Sequence, residues 1–177
     1  RVIGKVLIVV ILASAIIAGA LMYYLQVYGF YDEVQQTGES DVLLTTVTGG
    51  APEAILAENF QGIDAESSPL RYRACFQTPM SQAMLTETYE LYDDPVPLVA
   101  PDWFECFDAA AIGEALETGE AMAFLGTGNI TYGFDRVVAI LPDGQGFVWH
   151  QMNECGEEVF DGNPPPPGCP PPPERTE

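Results

Sequence analysis

Histidine occurs once, at His150, and lysine and arginine together number six in 177 residues. So small a cationic complement excludes ordinary nucleic-acid binding, which needs a basic footprint to displace counterions from the phosphates. With a single imidazole, a histidine-based metal site would have to be completed by carboxylates or thiolates. No C-x-x-C pair is present for thiol exchange or zinc, and no C-x-x-C-H for covalent haem. Gly126-Thr127-Gly128 lacks the third glycine of a dinucleotide fingerprint and reads as a turn. Asp93 with Asp94, and Glu157 with Glu158, are neighbours that point apart on regular backbone, a poor arrangement for an acid–base pair. The acids show no EF-hand spacing, and no internal repeat is visible. We therefore expect no catalytic residue, no cofactor and no metal site.

What the chain does have is acid and apolar bulk. Aspartate and glutamate number 26, the formal charge is −20, and 47% of residues are hydrophobic. That much apolar material argues for a folded core rather than an acidic disordered chain, and the length allows about one modest domain.

The charge is segregated. Arg1 and Lys5 precede a stretch of 26 residues, Val6 to Tyr31, with no charged side chain, and every acid lies beyond it. As a helix this stretch would run roughly 39 Å, enough to cross a hydrocarbon core of about 30 Å. The cations at its start and the aromatic cluster of Tyr23, Tyr24, Tyr28, Phe30 and Tyr31 at its finish suit two membrane interfaces. The positive-inside rule places the N-terminus in the cytoplasm and the remainder outside. A secretory leader is the competing reading, because a basic start, an apolar run and small residues also fit one. The run exceeds the usual leader core of about 7–15 residues, so an uncleaved anchor is expected. Within it, Ser14, Ala15, Ala18 and Gly19 set small side chains at spacings that permit close helix approach, a candidate packing face for another helix.

Beyond Tyr31 four arginines stand against 26 acids, a formal charge of −22. Such a surface attracts basic partners, or simply keeps the domain soluble. Cys75, Cys106, Cys155 and Cys169 all lie on this side, and an even count in an oxidising compartment reads as two disulfides. Of the three pairings, Cys75–Cys106 with Cys155–Cys169 is favoured, the second closing a short loop.

Local pattern sketches an α+β domain with a mainly antiparallel sheet over residues 32–162. Val42 to Val47 suits a strand, and Ala51 to Pro69 reads as turn-rich with short helices. Leu70 to Phe76 alternates as a half-buried strand, its Arg71 and Arg73 expected in internal salt bridges. Met80 to Tyr89 is helical or extended, and the prolines at 95, 97 and 101 interrupt regular structure. Trp103 to Thr118 reads as a helix capped by Asp102 and ended at Gly119. Ala121 to Leu125 is a buried strand, and Arg136–Leu141 with Gly146–Met152 a hairpin about Pro142-Asp143-Gly144-Gln145. His150 falls on that hairpin as a packed or surface histidine. From Asn163 the chain becomes a polyproline tail, either a rigid arm or a tether held by Cys169.

The stretches Met22 to Tyr28, Ser68 to Phe76, Asp135 to Ala139 and Trp149 to Gln151 resemble a family of small single-span membrane proteins of unassigned function in Rhodobacter-like alphaproteobacteria. The resemblance implies a bacterial inner-membrane protein with a periplasmic domain, and it brings no activity or cofactor. Three readings follow. The preferred one is a non-catalytic accessory subunit of a larger inner-membrane complex, respiratory or photosynthetic, held among other integral membrane subunits in the bilayer and helping to dock a basic periplasmic cytochrome. The others are a periplasmic assembly factor and an anchored enzyme or ligand-binding domain using Arg71, Arg73, Asp135 or His150.

Overall fold

The computed structural model describes residues 2–38 and 40–173, and the chain divides after Asp32 into two units. The first is one helix, α1 (Val2–Tyr24), continued by a π-helical turn, Leu25–Gly29. Helical hydrogen bonding satisfies its backbone internally, and Val2–Gly29 is long and apolar enough to cross a membrane. None of its side chains is buried.

The second unit is an α+β domain. Its strands are β1 (Asp32–Val34), β2 (Leu43–Thr45), β3 (Pro52–Ala54), β4 (Glu58–Asp64), β5 (Arg73–Gln77), β6 (Met122–Thr131), β7 (Phe134–Ile140) and β8 (Gln145–Met152). The helices are α2 (Gln82–Thr88), α3 (Ala109–Glu117) and α4 (Glu154–Phe160). Six strands form one sheet in the order β1-β4-β5-β8-β7-β6, and β2 pairs with β3 separately. The β4/β5, β5/β8, β8/β7 and β7/β6 pairings are all antiparallel.

Period-two alternation sorts β5 and β8 onto two faces. Tyr72, Ala74, Phe76 and Val148 join Leu44, Leu85 and Phe124 in one core. Arg73 and Cys75 alternate with them, as do Phe147 and Trp149, and Phe107 meets Phe147 and Trp149 edge-on at 5.8 and 6.4 Å between centroids. Both faces of β5 are thus buried, and the half-buried strand expected from its pattern is corrected by cover on the second face. That cover is the 98–107 segment, held down in part by the Cys75–Cys106 disulfide. The second bridge joins Cys155 to Cys169, so the pairing is the one favoured from the sequence.

Three other expectations are corrected. Residues 51–69 hold β3 and β4 rather than short helices, because β4 finds a partner in β5. The helix expected from Trp103 begins at Ala109, capped by the Asp108 carboxylate, which accepts from the Ala110 and Ala111 amides. Ahead of it the backbone makes tight turns, Phe104 N to Pro101 O and Phe107 N to Phe104 O, that seat the aromatic rings and Cys106. Gly126-Thr127-Gly128 is no turn but the middle of β6. Glycine is needed there because a Cβ on Gly126 would lie 2.9 Å from the Arg136 carbonyl oxygen and 3.1 Å from that of Leu43.

Candidate functional site

Arg73 is only 4% exposed. A cation taken that far from water must be compensated by hydrogen bonds. Its Nε–H donates to Leu98 O at 2.8 Å, Nη1 to Leu70 O at 2.8 Å and Tyr72 O at 2.6 Å, and Nη2 to Val99 O at 3.1 Å. The guanidinium also lies 5.6 Å from the Phe107 ring centroid. These four acceptors are backbone carbonyls. Their effect is mechanical, for the guanidinium ties β5 to a segment 25 residues further on.

That segment, residues 93–108, carries no regular structure and is fixed from the sheet side. Besides Arg73 and the Cys106 bridge, Gln151 on β8 accepts from Val96 N at 2.7 Å and donates to Asp94 O at 3.0 Å. Long irregular segments are uncommon within compact domains and are more often functional than not. Here the polar anchors hold the backbone while Val96 and Val99 stay 57% and 80% exposed. On one side a groove of about 600 Å³ runs between Asp94–Pro97 and α3, floored by Ala109, Ala110 and Gly113. On another, Trp103 and Glu105 face β1 and β4 across a cleft of about 500 Å³ that includes Glu33 and Gln61.

A second cluster, the half-buried Arg136 against the buried His150 and Tyr72, lies at the start of β5. His150, 6% exposed, stacks on Tyr72 at 4.8 Å between centroids, and the Arg136 guanidinium carbon lies 4.2 Å from the same Tyr72 ring. The Arg136 Nε–H donates to His150 Nε2 at 3.0 Å, and His150 Nδ1 lies 2.7 Å from Pro69 O. A guanidinium cannot accept and a carbonyl cannot donate, so the imidazole is neutral with its proton on Nδ1. Burial, then the charge of Arg136, pushes the His150 pKa down to about 4, against the pull of the Pro69 carbonyl. Burial likewise pushes the Tyr72 hydroxyl up. A histidine whose lone pair already faces an arginine is poorly placed to take a proton from a substrate.

Asp135 belongs to a third set. Its carboxylate accepts from Asn129 N at 2.8 Å, Asn153 Nδ2 at 2.7 Å and the Tyr92 hydroxyl at 3.2 Å. Asn153 in turn caps α4 by accepting from Gly156 N. Burial first, and the Asp135 charge second, raise the Tyr92 pKa. These bonds join the β6–β7 hairpin to α4. Of the residues singled out for ligand binding, Arg73, Asp135 and His150 therefore sit in three separate polar sets.

Ser14, Ala15, Ala18 and Gly19 lie exposed on α1, where Ser14 Oγ donates back to Ile11 O at 2.9 Å. Tyr23 and Tyr24 end that helix, Tyr24 stacks on Tyr28 at 5.9 Å, and Tyr31 follows the π-helical turn. Sequence reasoning missed Gln151 and Gly113, whose partners and surroundings are non-local. The one available signal was three prolines within seven residues, at 95, 97 and 101, ahead of a helix that begins late.

Comparison with known families matches residues 42–170, about three quarters of the chain, to a family of unknown function, DUF6446. No curated protein and no solved structure matches.

Proposed function

The chain belongs to the DUF6446 family of unknown function, and we propose that it is a non-catalytic accessory subunit of a larger bacterial inner-membrane complex. In this reading α1 lies in the bilayer with its N-terminus in the cytoplasm, and the disulfide-bonded domain stands in the periplasm, where it stabilises the assembly or helps dock a basic partner. The observation that carries it is the exposed helix: Val2–Gly29 is uncharged from Val6 onward and apolar enough to cross a membrane, and none of it is buried. Such a surface needs lipid or another helix around it, and Ala15, Ala18 and Gly19 offer a face for close approach. A formal charge of −22 beyond Tyr31 adds long-range attraction for a cationic protein. A basic periplasmic cytochrome is the partner that an electron-transfer complex would supply. Three side chains weighed for ligand binding are engaged in the fold, Arg73 with carbonyls, His150 with Arg136 and Pro69, and Asp135 with Asn129 and Asn153.

The test is extraction of the tagged full chain from its native membrane in mild detergent, followed by native separation, mass spectrometry and an absorption spectrum of the same band. Stoichiometric recovery with integral subunits supports the reading, and haem or pigment absorbance identifies an electron-transfer complex. Recovery alone, at low as well as high salt, defeats it.

A further inference from the structure

Gly113 stands in the middle of α3, where glycine costs about 1 kcal/mol relative to alanine. The domain itself has no use for it. Its φ is negative, and a Cβ built there would meet no atom of the described residues within 4 Å outside its own helix backbone and chain neighbours. Yet the residue floors the groove of about 600 Å³ between α3 and Asp94–Pro97. One wall of that groove is rigid, because Gln151 holds Val96 N and Asp94 O and Arg73 holds Leu98 O and Val99 O. Ala109 and Ala110 share the floor with Gly113, Leu116 adds apolar lining, and Asp94, Glu114 and Glu117 stand among the lining residues.

We propose that this groove is a docking site for a basic amphipathic segment of a partner protein. An apolar side chain of the partner sits over Gly113, whose missing Cβ lets it reach the helix backbone, and flanking lysine or arginine meets Glu114, Glu117 and Asp94. Charge decides the occupant: another copy of this chain brings a formal charge of −20 to a rim that is already acidic. An apolar anchor between complementary charges is a recurring form of peptide recognition. The inference rests on the accessory-subunit reading and names the surface through which the domain would hold its partner.

The probe is a synthetic amphipathic helix with lysine on its polar face and leucine and alanine on the other, titrated into the full chain in detergent at physiological salt. A second peptide carries glutamate in place of lysine. Gly113→Trp fills the groove without changing charge, its Cβ has room at the position, and circular dichroism of the variant checks that the fold is kept. The lysine peptide should bind the wild type, the glutamate peptide should not, and Gly113→Trp should weaken binding about tenfold or more. A second variant, Glu114→Gln with Glu117→Gln, alters only exposed side chains and should slow association and flatten its salt dependence. Equal affinity of wild type and Gly113→Trp would mean attraction by overall charge and would overturn the groove, as would no binding to the wild type. Co-extraction separates the two levels of argument. If the wild type and Gly113→Trp both bring down the same complex, the groove fails and the accessory reading stands; if the wild type comes down alone, the accessory reading fails.

Discussion

Two proline-rich irregular segments, each closed by a disulfide, behave differently in this domain. Residues 93–108 carry Pro95, Pro97 and Pro101 and are bridged through Cys106 to β5. Residues 163–173 carry two runs of four prolines and are bridged through Cys169 to α4. The first is gripped along its length by donors and acceptors from the sheet, Arg73 and Gln151. The second is bonded mainly to its own neighbourhood, Asn163 to Glu158 and Cys169 N to Pro166 O. Proline extends both backbones. What turns one of them into the wall of a groove is a buried arginine and a half-buried glutamine from elsewhere in the chain.

Removing the grip should break the difference most severely. Arg73→Met keeps bulk but leaves the carbonyls of Leu70, Tyr72, Leu98 and Val99 without that donor. The Tyr72 bond is buried and the other three part-buried, so at about 1–3 kcal/mol for a fully buried orphaned carbonyl, and less for the rest, the loss is about 4 kcal/mol, measurable as a lower denaturant midpoint. Retention of wild-type stability would mean that the loop is held without the guanidinium.

The bridges offer a direct contrast. They close sequence separations of 31 and 14 residues. Chain entropy assigns about 4 kcal/mol to the first and about 3 kcal/mol to the second. Paired Cys→Ser variants should follow that order, and proteolysis should open residues 93–108 in the first but only the tail in the second. Equal patterns of cleavage would erase the distinction between wall and tail.

A third test uses pH at the buried cluster where β5 begins. The folded His150 pKa of about 4 lies below its ordinary value of 6.5. Between those values the unfolded chain binds the additional proton, so stability is fully present above pH 6.5 and is lost as pH falls toward 4. At about 1.4 kcal/mol per unit the contribution is about 3 kcal/mol. His150→Gln should lose correspondingly less stability than the wild type between pH 7 and 4, by urea denaturation at each pH. Parallel losses would show that His150 does not titrate against Arg136 and Arg73 as the fold implies.

The smallest effect sharpens the comparison from the groove side. Gly113→Ala should raise stability by about 0.5–1 kcal/mol, since helix propensity improves and the added methyl meets no described residue beyond its own helix backbone and chain neighbours. A destabilised variant would show that the position is already filled.

Much of the architecture was legible because it depends on near neighbours. The Pro142-Asp143-Gly144 turn and its apolar flanks announce the β7–β8 hairpin, and an even cysteine count announces the bridges. The beginning of α3 was misread because an apolar stripe from Phe104 to Leu116 fits a helix equally well. The Cys106 bridge and the aromatic turns at Phe104 and Phe107 take its first part into loop structure. Gly126 was misread for the opposite reason: a glycine pair looks like a turn until β2 is seen to approach it.

The amino-acid sequence alone determined the apolar helix, the acidic character of everything after it and the α+β class, and it favoured the cysteine pairing that the structure then fixed. Helix hydrophobicity, charge and turn chemistry act over a few residues and need no knowledge of the fold. The tertiary structure alone decided what the buried Arg73 does and where a groove opens. Arg73 finds its acceptors 25 and 26 residues away and Gln151 reaches Val96 across 55, contacts that exist only once the sheet has brought those segments together.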